Sequence, residues 1–113
     1  ADVRRKLAAL RRHCDDLGRP YEAILRTHAV LSGRVHLAPT EARVRDKLNA
    51  VPTPHGMWRA DPVYGTPAQV VAHYQALAEA GLEHFIVTFY RADEESRQLF
   101  AEQVIPALTA AAT

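Results

Sequence analysis

A single cysteine in 113 residues excludes an intramolecular disulfide. That residue, Cys14, falls on the apolar stripe of a helical pattern, which makes it a buried, inert thiol rather than a nucleophile. A reducing, cytoplasmic setting fits this usage. No apolar run is long enough to span a bilayer, and no secretory signal pattern is present, so no membrane partner is expected. Charge is nearly balanced at a net +1, which gives no general drive toward nucleic acid. The chain holds no G-x-S-x-G, no Walker A loop and no G-x-G-x-x-G. Its six histidines are scattered, without metal-ligand spacing to cysteine or carboxylates. Internal repeats are absent too. The first residues already lie inside a helical pattern with no initiator methionine, so the chain is expected to be a segment of something longer.

What is present is an ordinary globular composition, 48% hydrophobic and 24% charged, enough for one domain with a modest core. Val3, Leu7, Leu10, Cys14 and Leu17 recur at helical spacing, and Gly18 and Pro20 end that helix. The basic cluster Arg4, Arg5, Lys6, Arg11 and Arg12 on it is a solvated face before it is a phosphate-binding patch, since Asp15, Asp16 and Glu22 follow closely. Ile24 to Leu31 reads as a strand. Residues 32–64 form a long connection with a short helix from Glu41 to Ala50, capped by Thr40. Thr66, Pro67 and Gln69 open a further helix through a capping box, and Gly81 closes it. Phe85 to Phe89 is a β-rich apolar run of the kind covered on both faces. Asp93 caps the last helix, which Pro106 should kink or end.

The order is therefore helix, strand, long loop with a short helix, helix, strand, helix. Two parallel strands leave open edges. The physics alone permits a fragment of a closed (β/α)8 barrel or a small α/β module completed by another chain. The chain also resembles a family. Leu10, Cys14, Gly18 and Arg19 look like the helix before the seventh strand in the luciferase-like family of flavin- or F420-dependent oxidoreductases. Gly65-Thr66-Pro67 and Ala80-Gly81-Leu82-Glu83-His84-Phe85 resemble its seventh helix and eighth strand. Phe100-Ala101-Glu102 through Ile105-Pro106 resembles its closing helix. Residues 32–63 show no clear match.

The resemblance implies an α/β fold, the C-terminal fragment of a (β/α)8 TIM barrel spanning 1–113. The rest of the barrel or a homo-oligomer partner would complete it. It implies an oxidoreductase or monooxygenase using F420 or FMN, acting on a small-molecule substrate, with the isolated segment inactive. The bias of arginine over lysine, expected of GC-rich bacteria where F420 proteins are common, inclines the choice to F420. In this barrel class the site lies where the strands end. That singles out the region of Val30 to Arg34, then Phe89, Tyr90 and Arg91, with residues 32–64 as a rim loop whose Trp58 and Arg59 would close over an anionic group. Arg26 and His28 share a strand face and are expected to point into the barrel. There His28 either approaches the cofactor or, with Arg26, is a satisfied core polar group. Arg59 and Arg91 also read as solvated loop arginines.

Overall fold

The computed structural model describes residues 2–29, 34–50 and 63–112. Trp58 and Arg59, and with them the central part of the expected rim loop, lie outside the described residues. The chain is α/β, with short parallel strands. Its elements run α1 (Asp2–Leu17), a short 3-10 turn (Tyr21–Ala23), β1 (Thr27–Ala29), β2 (Val35–Leu37), α2 (Glu41–Ala50), β3 (Val63–Gly65), α3 (Pro67–Glu79), β4 (His84–Ile86), α4 (Glu94–Leu99), a π-helical turn (Phe100–Val104) and α5 (Ile105–Ala112).

The strands form two parallel pairs. In one, Thr27, His28 and Ala29 face His84, Phe85 and Ile86. In the other, Val35, His36 and Leu37 face Val63, Tyr64 and Gly65. The Val35 amide donates to the Thr88 carbonyl at 2.8 Å, which ties the second pair to the chain leaving β4. Parallel neighbours need a long crossover, and α3 lies within the one that leads to β4.

Local chemistry accounts for the helix ends. The Thr66 amide donates to Gln69 Oε1 at 3.0 Å, with Pro67 in the first turn, as the capping pattern requires. The Asp93 carboxylate accepts from the Ser96 amide at 3.0 Å and so caps α4. Pro106 acts as expected but earlier in the chain: it has no amide proton, and the helix ahead of it widens by one residue, so that the Ile105 amide reaches Phe100 O. This turn directs both Phe100 and Val104 inward.

The core is Val35, Leu37, Val70, Tyr74, Phe100 and Val104. Tyr74 is its centre, edge-to-face with Phe85 at 5.0 Å and with Phe100 at 6.0 Å. β2 and β3 were not expected from the sequence, because three-residue strands carry too little alternation to read. Among the described residues of the expected strand 24–31, Thr27–Ala29 pair, and the β4 ladder starts at His84 and stops at Ile86. Cys14 is buried as expected, but Leu17, at the end of α1, is 81% exposed.

The faces of β1 run opposite to the expectation. Ile24, Arg26 and His28 are half-buried, while Leu25, Thr27 and Ala29 are exposed. The covered side is where Arg26 finds its partners. It donates to Gly81 O at 2.9 Å and Ile24 O at 3.1 Å, and pairs with Glu83. An arginine satisfied this way has no need of a partner from outside the chain. The opposite face, with Leu25 59% and Ile86 44% exposed, is open.

Gly81 has φ +117, and a Cβ there would lie 3.1 Å from Leu7 Cδ1. Gly81→Val should therefore lower stability by about 1–3 kcal/mol through backbone strain alone. Chemical denaturation measures this, and an unchanged midpoint would show that this backbone tolerates a β-branched residue.

Candidate functional site

Two groups of residues converge where β4 ends and α4 begins. The outer one is a basic rim. Arg34 precedes β2 in a left-handed conformation, φ 59, which costs a non-glycine residue about 1–2 kcal/mol. Backbone bonds hold it there: the Val63 amide donates to Arg34 O at 3.1 Å, and the Val35 amide to Thr88 O. The Arg34 guanidinium lies 5.2 Å from the centroid of the Tyr90 ring, a cation–π contact. Arg91 follows and is exposed; its carbonyl accepts from Arg97. The sequence placed Arg34, Tyr90 and Arg91 on one rim, and Arg34 and Tyr90 are in contact there.

His28, by contrast, is not at this rim. It sits on the covered face, edge-on to Phe85 at 6.4 Å and near enough to His73 of α3 to act on its charge. Its Nδ1 is buried without a hydrogen-bond partner among the described residues. Of the expected site residues, the described chain thus brings Tyr90 and Arg91 to the strand ends and leaves His28 beneath the sheet.

The inner group was not foreseen. It joins β2, α2 and α4 through Lys47, Asp93, Ser96 and His36. Lys47 donates to Leu37 O at 2.5 Å and Asp93 Oδ1 at 2.9 Å, and pairs with Glu95 at 2.8 Å. Its three ammonium protons are thereby all used. Ser96 Oγ accepts from the Leu37 amide at 2.8 Å and donates to Asp93 Oδ2 at 2.5 Å. Ser96 is fully buried. A sealed serine and a saturated, charged lysine cannot act as nucleophile and base. This group is a clamp, and its chemistry is positional: it fixes the end of β2 opposite Arg34 and the start of α4 just after Tyr90 and Arg91. Arg43 adds an exposed pair to Glu95 at 3.2 Å.

His36 borders the clamp, with Nδ1 3.8 Å from Asp93 Oδ2 and no hydrogen-bond partner among the described residues. Burial pushes its pKa down; Asp93 pulls it back up, Lys47 and Arg34 push it down again, and the net shift is downward. For Asp93 burial acts upward, but hydrogen bonds from Lys47 and Ser96 outweigh it and hold the carboxyl low. No group of three or more His, Cys, Asp or Glu among the described residues is arranged to hold a metal. No helix among the described residues is long and apolar enough to cross a membrane. Compared with known proteins, the chain matches no family model, no curated protein and no solved structure.

Two outcomes test the clamp. Lys47→Met leaves the buried Asp93 without its cation, while Glu95 keeps Arg43, and should cost about 3–5 kcal/mol by denaturant unfolding, the range for breaking a buried pair from one side. A cost below about 1 kcal/mol would mean that water reaches the Asp93 carboxylate. Acid should also destabilise the fold. A histidine held below its ordinary 6.5 binds fewer protons folded than unfolded. The stability it brings is complete above that value and declines as pH falls below it. Asp93, held below 3.8, adds a further loss as pH falls through its folded value. His73, pushed down by burial and by His28, acts in the same upper window as His36. His36→Leu should therefore shrink, but not abolish, the drop in Tm between pH 7.5 and pH 5.5. An undiminished drop assigns the effect to His73 or elsewhere.

Proposed function

We propose that this chain is the closing part of a larger luciferase-like (β/α)8 oxidoreductase that binds F420 or FMN at the basic rim. The observation that carries the reading is Arg34, held in a strained backbone conformation with its guanidinium over Tyr90 where the strands end. Strain of this kind persists where surrounding structure holds it, and it concentrates at ligand sites. Support also comes from the parallel pairing of β1 with β4, with α3 on the covered side and the other face open. A closed barrel has this arrangement of strand, crossover helix and inward face.

The donor set at the rim fits an anionic cofactor. Arg34 and Arg91 supply planar, permanently charged donors suited to phosphate, and Tyr90 supplies an aromatic face beside them. When bound, the deazaflavin or flavin would supply hydride transfer. The chain's own residues would bind the phosphate-bearing tail, orient it and limit access of water. Trp58 and Arg59 remain candidates for the covering segment on resemblance alone.

A second reading is a non-enzymatic module that pairs through its open sheet face or edge, which the exposure of Leu25 and Ile86 favours. Titration separates the two. In the protein carrying this chain, F420 or FMN should bind saturably by fluorescence, and Arg91→Ala should weaken it about tenfold, the loss of one charge-assisted contact of about 1.5 kcal/mol. The 113-residue chain alone should show no turnover, because barrel sites draw on several strands. A chain that dimerises in sedimentation runs, with no cofactor bound by the parent, favours the module.

A further inference from the structure

We propose that the opposite end of the strands carries a second binding site, for a small organic phosphate. This site is independent of the rim. A cavity of about 320 Å³ opens between α1, the turn at Tyr21 and the approach to β4. Arg4, Arg11 and Arg26 all line it. They differ in how far their donors are already used.

Arg26 is mostly committed to Gly81 O, Tyr21 O, Ile24 O and Glu83. Arg11 lies 4.0 Å from the centroid of the Tyr21 ring, and its acidic neighbour Glu22 is 3.9 Å away, beyond hydrogen-bond distance. Arg4 makes no ion pair or side-chain hydrogen bond among the described residues. Arg5, by contrast, is paired with Asp2. Arg4 and Arg11 are two helical turns apart and so share one face of α1. Two guanidiniums with free donors therefore converge on a cavity that already holds a third. Glu83 is engaged by Arg26, and Glu22 is 76% exposed, so the local field stays positive.

Gly81 lets one wall of the cavity close tightly on the backbone: a Cβ there would lie 3.1 Å from Leu7 Cδ1 and 3.9 Å from the Tyr21 hydroxyl. The chemistry sorts the occupant. Convergent arginines select a phosphate-type oxyanion. The volume exceeds that of the ion alone, and Leu7 with Ala8 and Ala80 offers an apolar wall to an organic group. A phosphomonoester with a small apolar substituent meets both conditions.

The probe is phenyl phosphate, titrated by calorimetry at low salt, with phenol and inorganic phosphate as comparisons. Saturable binding of phenyl phosphate is expected, with inorganic phosphate at least tenfold weaker and phenol silent. The variant Arg4→Gln/Arg11→Gln should lose at least tenfold in affinity. Arg4→Gln alone, which breaks no described contact, should lose several-fold with unchanged thermal melting. The proposal is overturned if the folded protein gives no saturable binding, or if Arg4→Gln and the double variant bind as tightly as the parent. Equal affinity for inorganic phosphate would also overturn it, since that marks a diffuse counter-ion patch rather than a site for an organic ligand.

Discussion

The Lys47 ammonium, pulled under cover by Leu37 O, Asp93 and Glu95, is the interaction on which the rest of the structure depends. It joins three segments distant in sequence: α2, the end of β2 and the start of α4. Burying a charge this far is unfavourable unless every proton is matched. Here all three are. Asp93 is matched as well, by Lys47 on one oxygen and Ser96 on the other. The same carboxylate caps α4 through the Ser96 amide. One aspartate thus starts a helix and neutralises a lysine, and Ser96 ties both to the backbone of β2. Apolar packing could hold these elements together, but it would not fix their register to the length of a hydrogen bond.

The register matters because of what it holds in place. Arg34 sits in a conformation that is unfavourable for any residue with a side chain. It keeps it because both neighbours in space are fixed: Val35 is fully buried and bonded to Thr88, and Val63 is bonded to Arg34 itself. Loosening the clamp would release β2 and let Arg34 relax away from Tyr90. Stability of the buried group and geometry of the rim are therefore one property, although no residue of the clamp is exposed enough to meet a ligand.

Much of this fold could be read along the chain, and the parts that could are local. Thr66, Pro67 and Gln69, the cap at Asp93 and the turn at Gly81 depend on residues within four positions of one another, and each behaves as its chemistry requires. The strands β2 and β3 were illegible because three residues cannot show a period. The clamp was illegible because Lys47 and Asp93 are 46 positions apart and Asp93 reads in the sequence only as a helix cap. The faces of β1 were misread for a physical reason. The more polar pair, Arg26 and His28, was assigned to the inward side, away from the helices, on the rule that apolar residues meet the helices. Arg26 instead carries its own partners into the covered layer, where four acceptors satisfy it. Polarity predicts exposure only when the polar group lacks partners nearby, and a sequence does not show partners. At the rim, Tyr90 and Arg91 followed from the end of a recognisable strand, whereas the contact with Arg34 needed the fold.

The two ends of the β1–β4 pair differ in how they hold positive charge, and that difference bears on what each could do. At the C-terminal end, Arg34 lies on an aromatic ring and is bound into a rigid strand junction. A donor fixed in this way loses little freedom when a ligand arrives, so it suits selective contact. At the N-terminal end, Arg4 and Arg11 project from one helix face; Arg11 lies over the Tyr21 ring and Arg26 beneath is locked, whereas Arg4 makes no ion pair or side-chain hydrogen bond among the described residues. A ligand there would have to order the Arg4 side chain, which lowers affinity and makes it more sensitive to salt. The open face of the pair, by contrast, carries Leu25, Thr27 and Ala29 beside His84 and Ile86. No arginine, lysine or carboxylate stands on that face within the paired strands. Apolar chain can cover that surface without stranding a buried ion, as closing a larger sheet over it would require.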